Sequence, residues 1–116
     1  MIQAPHLRRT EGMRYAHAMV AALLAVPLIA AGPAPATVHI RNYAFVPVTL
    51  TVKAGTTVRF VNDDSDVHTA TADDQSWDSG GLDTGNDFTH TFAKPGRVAY
   101  RCSLHPMMKA TIVVTK

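Results

Sequence analysis

Apolar and polar residues alternate with a period of two through Val38, Ile40, Leu50, Val52, Val58 and Phe60, with threonines and charged residues between them. That period is the signature of strands with one buried face. Lys53-Ala54-Gly55 predicts a turn from one strand into the next, and Pro47 predicts a kink or sheet edge where the chain crosses between sheets. Farther along, Phe88, His90 and Phe92 share one face of a predicted strand and Thr89 and Thr91 the other. Two phenylalanines make the first face the core face. Lys94-Pro95-Gly96 turns into a strand over Arg97 to Tyr100, and Ala110 to Thr115 closes the sheet. After residue 36 no long stretch carries a helical stripe, so the pattern predicts an all-β fold.

Asp63 to Asp87 breaks the alternation. It is rich in Asp, Gly, Ser and Thr and reads as loop with little regular structure, with Trp77 and Leu82 as the anchors that pack it onto the domain. His90, between two core phenylalanines, is expected to be a half-buried, hydrogen-bonded strand residue, and His39, between Val38 and Ile40, to face solvent.

The N-terminal region has a different character. Apolar residues from Ala16 to Ala31 follow Arg8, Arg9 and Arg14, and Ala34-Pro35-Ala36 is a small-residue cleavage pattern, so residues 1–36 read as a secretory signal peptide with Thr37 first in the mature chain. Met13 is an alternative start. A membrane anchor is the competing reading, but Pro27 interrupts the apolar run, which is shorter than the roughly 20 residues a spanning helix needs. What remains, residues 37–116, is enough for one domain.

Removing the leader also changes the charge. Three of the 11 Lys and Arg and one of the 9 acidic residues fall in it, leaving eight of each sign and a neutral domain, which offers nothing to attract nucleic acid. All eight remaining acidic residues lie between Asp63 and Asp87, where there is no Lys or Arg. Opposite charges so segregated along the chain can give a neutral domain a large dipole.

The chain has one cysteine. In an exported protein it cannot close an internal disulfide, and it is therefore a free thiol, an intermolecular partner or a ligand. Its neighbourhood favours the last. In Tyr100-Arg-Cys-Ser-Leu-His-Pro-Met-Met108, Cys102, His105 and Met108 place a thiol, an imidazole and a thioether within seven residues. Cysteine sulfur, two histidine nitrogens and a weak thioether hold copper as a one-electron carrier. His68, in a second loop after a strand-like run, is the best candidate for the second histidine.

These residues carry a resemblance to a family. From about Ile40 to Val114 the chain resembles the small blue copper proteins, the cupredoxins, and is most similar to the amicyanin and plastocyanin branch. The matching stretches are Asn42-Tyr-Ala-Phe-Val-Pro47, Leu50-Thr-Val-Lys-Ala-Gly55, Val58-Arg-Phe-Val-Asn62, His68-Thr69, Phe88-Thr-His-Thr-Phe92, Pro95-Gly96 and Tyr100-x-Cys-x-x-His-Pro-x-Met108. The gap from His105 to Met108 is similar to the short ligand loop of amicyanin. The resemblance implies a Greek-key β-sandwich or barrel of about seven strands. It also implies one copper ion, Cu(I)/Cu(II), held by His68, Cys102, His105 and Met108, with Met107 left as exposed surface. Asn62 is expected to tie the two ligand loops together, and the N–H after His68 to donate to the Cys102 sulfur. Two departures stand out: Thr69 replaces the family's usual Asn, which puts side-chain cross-linking of the loops in doubt, and Ala110 replaces Gly.

The implied function is that of a soluble, monomeric one-electron carrier in the periplasm or another exported compartment. Its partners would be redox proteins such as a c-type cytochrome or a periplasmic dehydrogenase, with no enzymatic reaction of its own. Copper handling, as a metallochaperone or resistance protein, uses the same ligands and is the alternative. A Cys-His hydrolase is a distant third, because Cys102 and His105 share one tight turn and no oxyanion-hole motif accompanies them.

Overall fold

A computed structural model describes residues 2–3, 12, 21–22, 24–27 and 31–116, so most of the expected leader lies outside the described residues. No helix among the described residues is long and apolar enough to cross a membrane. The domain is all-β, with eight strands: β1 (Ala36–Arg41), β2 (Ala44–Val46), β3 (Thr49–Lys53), β4 (Thr56–Asn62), β5 (Thr71–Ala72), β6 (Asp87–Phe92), β7 (Gly96–Arg101) and β8 (Lys109–Thr115). They form two four-stranded sheets, in the orders β2-β1-β4-β6 and β3-β8-β7-β5. Eight strands stand where about seven were expected, and two of them, β2 and β5, at three and two residues, are too short to show a period.

The alternation works as anticipated. Val38 and Ile40 of β1, Val58 and Phe60 of β4, and Ala110, Ile112 and Val114 of β8 point into one core between the sheets. Every connection from β2 to β7 changes sheet, beginning at the bend around Pro47. Between β3 and β4 the crossing is made by Gly55, whose φ of 91° suits glycine and whose N–H donates to the Phe92 carbonyl at 2.7 Å.

Trp77 and Leu82 are buried, as their anchoring role requires, and Trp77 stacks on Phe60 with ring centroids 5.5 Å apart. His90 is half-buried, but among the described residues its side chain has no hydrogen-bond partner; it stacks on Trp77 at 5.2 Å, and its burial pushes its pKa below the usual histidine value. His39 is half-buried too, and its Nδ1 lies 2.7 Å from Asp63.

Register places the chemistry. β1, β4 and β7 end, and β8 begins, at one pole of the sandwich, because Ile40 pairs with Asn62 and Arg101 with Lys109. The loops leaving Arg41, Asn62 and Arg101 therefore converge there. At the other pole lie Lys53, Lys94, Arg97 and Lys116, all exposed and none within 4 Å of an acidic partner among the described residues.

Candidate metal centre

Two loops deliver the candidate ligands. The first runs from Asn62 to Thr69, and its end is fixed by a pair of backbone bonds between His68 and Leu82, at 3.2 and 2.7 Å. The second runs from Cys102 to Met108 and closes on itself: the Cys102 N–H donates to the Met108 carbonyl at 3.0 Å, and the Met108 N–H to the His105 carbonyl at 2.9 Å. Cys102 and His68 are fully buried, Met108 is 4% exposed, and His105 is part-exposed.

The structure brings His68, Cys102 and His105 together, with their ligand atoms within 4.8 Å of one another. Nδ1 of His68 lies 3.8 Å from Cys102 Sγ, and Nδ1 of His105 lies 3.7 Å from it. A small metal ion held at about 2.3 Å from sulfur and about 2.0 Å from nitrogen, with near-trigonal angles, would separate those atoms by about 3.7 Å. The residues present thus fit a shared ion, and a thiol with two imidazoles and an adjacent thioether is a donor set suited to copper. Met108 is buried in the same turn, whereas Met107 beside it is 88% exposed.

The surrounding groups are partly those anticipated. The Thr69 N–H donates to Cys102 Sγ at 3.3 Å, as the resemblance implies. The loop cross-link differs. Asn62 donates to the carbonyls of Asp66 and Leu82, both at 2.8 Å, and accepts the Asp64 N–H at 2.9 Å, so it braces the first loop and does not reach the second. Thr69 performs the cross-link that its identity had put in doubt: its Oγ1 accepts the Ser103 N–H at 2.8 Å and lies 3.0 Å from the Ser103 hydroxyl and 2.9 Å from that of Thr71. A hydroxyl is shorter than an amide, but one donor and two lone pairs let it serve three partners here.

Two contributors were not foreseen. The Asp64 carboxylate accepts from His68 Nε2 at 2.9 Å, from the Asn42 N–H at 2.7 Å and from the Tyr43 N–H at 2.9 Å. Since a carboxylate oxygen only accepts, the proton on His68 sits on Nε2, which leaves the Nδ1 lone pair facing Cys102. The second is Tyr43, whose ring lies edge-on to both His68 and His105 with centroids 5.2 Å away in each case.

Ala110, the other departure from the family, sits in β8 opposite Tyr100, where the phenol is buried and its hydroxyl has no hydrogen-bond partner among the described residues. Burial among Phe45, Phe60 and Trp77 pushes the Tyr100 pKa up.

Residues 14–114 match the sequence model of the cupredoxin-like domain, and the chain belongs to that family. Solved structures agree. The chain is 31% identical to a purple cupredoxin from Nitrosopumilus maritimus, with a TM-score of 0.67 over 69% of this chain and 99% of that one. It is 34% identical to the copper-containing nitrite reductase of Thermus scotoductus SA-01, with a TM-score of 0.68 over 74% of this chain but only 23% of the enzyme. A reduced amicyanin variant shares the fold at 24% identity, with a TM-score of 0.64 over 68% of this chain and 80% of that one. No curated protein matches the chain.

Proposed function

We propose that this protein is a type 1 (blue) copper protein that carries single electrons between redox proteins in an exported compartment. Cys102, His68 and His105 would be the principal ligands and Met108 the weak fourth. The observation that carries this reading is the pair of imidazole Nδ1 atoms 3.8 and 3.7 Å from one buried thiol. Copper, when bound, supplies a one-electron couple that mixed nitrogen and sulfur donors accommodate in both states. Thr69 holds the sulfur, Asp64 holds His68, and the closed turn holds Met108, so few protein atoms need to move when the charge changes. A largely buried, braced centre supports a retained ion over one handed on, and we favour the carrier over the copper-handling alternative for that reason.

Residues 1–36 would direct export, leaving Thr37–Lys116 as the mature domain. N-terminal sequencing of exported protein should begin at Thr37, and recovery of the uncleaved chain in membranes would overturn this. The domain reading needs no substrate site. The match to nitrite reductase covers a small part of that enzyme, whereas the purple cupredoxin is matched over nearly its whole length.

The partner surface follows from the part-exposed ligand. His105 is flanked by Leu104, 55% exposed, and Met107, an apolar rim of the small size that transient redox complexes use. Asp63, Asp66 and Asp83 lie in the loops at this pole together with the exposed Lys109, while Lys53, Lys94, Arg97 and Lys116 lie at the other. Asp73 and Asp74 do not join them: they lie beside Arg97, Val98 and Ala99 of β7, where the Asp73 N–H donates to the Ala99 carbonyl, although the Asp73 carboxylate reaches Arg101 at 3.0 Å. Asp63 is itself tied to Arg41 and His39, whose hydrogen bonds hold its carboxyl below the usual carboxylate range. Asp64, Asp66 and Asp83 still outnumber Lys109 at the metal pole, and that balance favours a basic partner such as a c-type cytochrome.

Titrating the protein with Cu(II) tests the reading directly. One equivalent should produce an intense visible band that is bleached and restored by reductant and oxidant, and a colourless complex would exclude it. With a basic cytochrome as partner, stopped-flow association should slow by about tenfold from low to high salt. A rate indifferent to salt would leave the apolar rim as the sole determinant.

A further inference from the structure

The β1–β2 hairpin breaks a local rule at the metal pole. Arg41 pairs with Ala44, so Asn42 and Tyr43 form a two-residue loop, with φ of 50° and 57°. Positive φ at both positions defines a type I′ turn, in which Asn is favoured first and Gly second. Tyr at the second position is in the left-handed region, where a side chain crowds its own backbone. A glycine would make this turn at less cost, so something else about the tyrosine compensates.

Its contacts say what. The Tyr43 N–H binds the same Asp64 carboxylate that holds His68, and the phenol donates to Asp66. The ring between these two tethers meets His68 at an interplanar angle of 89° and His105 at 87°. The two histidines are not equally supported. His68 is buried, with Asp64 on its Nε2 and Leu82 on its backbone. The His105 ring is part-exposed, and its only side-chain hydrogen-bond contact among the described residues is Cys102 Sγ at 3.7 Å. Its aromatic neighbours are Tyr43, at 5.2 Å, and His68, at 4.9 Å. We infer that Tyr43 is a positioning residue for His105: held by Asp64 and Asp66 in an unfavourable turn, its ring walls the exposed imidazole into its place beside Cys102. Asp64 fixes one histidine directly and the other through Tyr43. The hairpin is thus a third loop of the centre, although it supplies no ligand.

This inference deepens the copper reading, but it can be tested with and without metal. In the metal-free full chain, nuclear magnetic resonance should find one ring orientation for His105 in the native protein and in Tyr43→Phe, and averaging over several in Tyr43→Gly. Because glycine suits the turn, Tyr43→Gly should still fold, which circular dichroism checks. After loading with Cu(II), Tyr43→Gly should lose the ion to excess chelator about tenfold faster than the native chain, the scale set by losing a group that orients a metal ligand. Tyr43→Phe, which keeps the ring and the Asp64 tether and loses only the Asp66 contact, should stay nearer the native rate than Tyr43→Gly. An ordered His105 ring and a native release rate in Tyr43→Gly would overturn the inference. So would a Tyr43→Phe protein as impaired as Tyr43→Gly, since the phenol contact and not the ring wall would then be responsible. If the native chain forms no coloured Cu(II) complex, the copper reading fails, and the metal-free ring measurement still decides the role of Tyr43.

Discussion

Replacing Cys102 by Ser should abolish the intense visible absorption of the Cu(II)-loaded protein while leaving the fold in place. The band of such sites arises from charge transfer between thiolate and copper, so it depends on one atom, Cys102 Sγ, and no other sulfur in the centre can substitute for it. Met108 offers only a neutral thioether, a weak donor at long range that cannot give a band of that intensity. His68 and His105 would remain, so weak Cu(II) binding survives and must be separated from colour by measuring both. The structural cost is modest. Cys102 is fully buried and its sulfur accepts the Thr69 N–H at 3.3 Å. A serine oxygen can accept the same bond, but it sits on a shorter arm and leaves a small gap, a loss of about 1–2 kcal/mol. Copper titration followed in the visible range, with thermal unfolding of the metal-free protein alongside, separates the two effects. A Cys102→Ser protein with native colour would remove the thiolate from the centre and with it the copper reading proposed above.

Cys102 was conspicuous from the sequence because it is the only cysteine and because His105 and Met108 follow it at intervals of three in one short turn. Clustering within a turn is a local property, and local properties survive in a one-dimensional reading. The core was legible for a related reason: strands with one buried face write a period of two, as in β1, β4 and β8. What escaped lies in side chains that meet across the fold. Thr69 and Ser103 are 34 residues apart in the chain, and nothing about either hydroxyl signals the other. Asp64 was hidden among identical neighbours. In Asn62-Asp63-Asp64-Ser65-Asp66, one aspartate turns outward to Arg41, one turns inward to His68 and one receives the Tyr43 phenol. Composition alone made all three look like solvated charge. Tyr43 was missed because two-residue hairpins announce themselves by Asn-Gly, and this one has tyrosine where the glycine belongs. A short strand pair joined by an unfavourable turn leaves almost no sequence signal. The lack of a favourable residue was itself the clue, but it can be read only once the backbone angles are known.

The largest effect from a residue that is not a candidate ligand is expected from Asp64→Asn, a change of one atom and one charge. The carboxylate has three N–H donors facing it. Oδ1 accepts from Asn42, while Oδ2 accepts from Tyr43 and from His68 Nε2. An asparagine has only one acceptor oxygen, and its amide nitrogen must face the donors at the other position. With the oxygen at the Oδ2 position, the amide opposes the Asn42 N–H. With the oxygen at the Oδ1 position, the amide opposes the Tyr43 N–H and favours a His68 ring whose Nε2 accepts, which moves the ring proton to Nδ1. Nδ1 is the atom 3.8 Å from Cys102 Sγ, and a protonated nitrogen there has no lone pair for a metal. Either arrangement leaves a donor unmatched in a part-buried site, at a cost of about 1–3 kcal/mol in stability. The second also requires a tautomer change before any ion can be held, so copper affinity should fall by about 10- to 100-fold. Competition with a chelator of known affinity measures the affinity, and nitrogen-15 histidine spectra of the metal-free protein identify the tautomer. The native protein should carry the His68 proton on Nε2, and Asp64→Asn should shift population to Nδ1. Asp64→Glu, which keeps both acceptor oxygens but lengthens the arm, should retain the native tautomer and recover part of the affinity. If Asp64→Asn bound copper as tightly as the native chain with its tautomer unchanged, the Asp64 contact would be incidental. The orientation of His68 would then rest on Leu82 and the surrounding core alone.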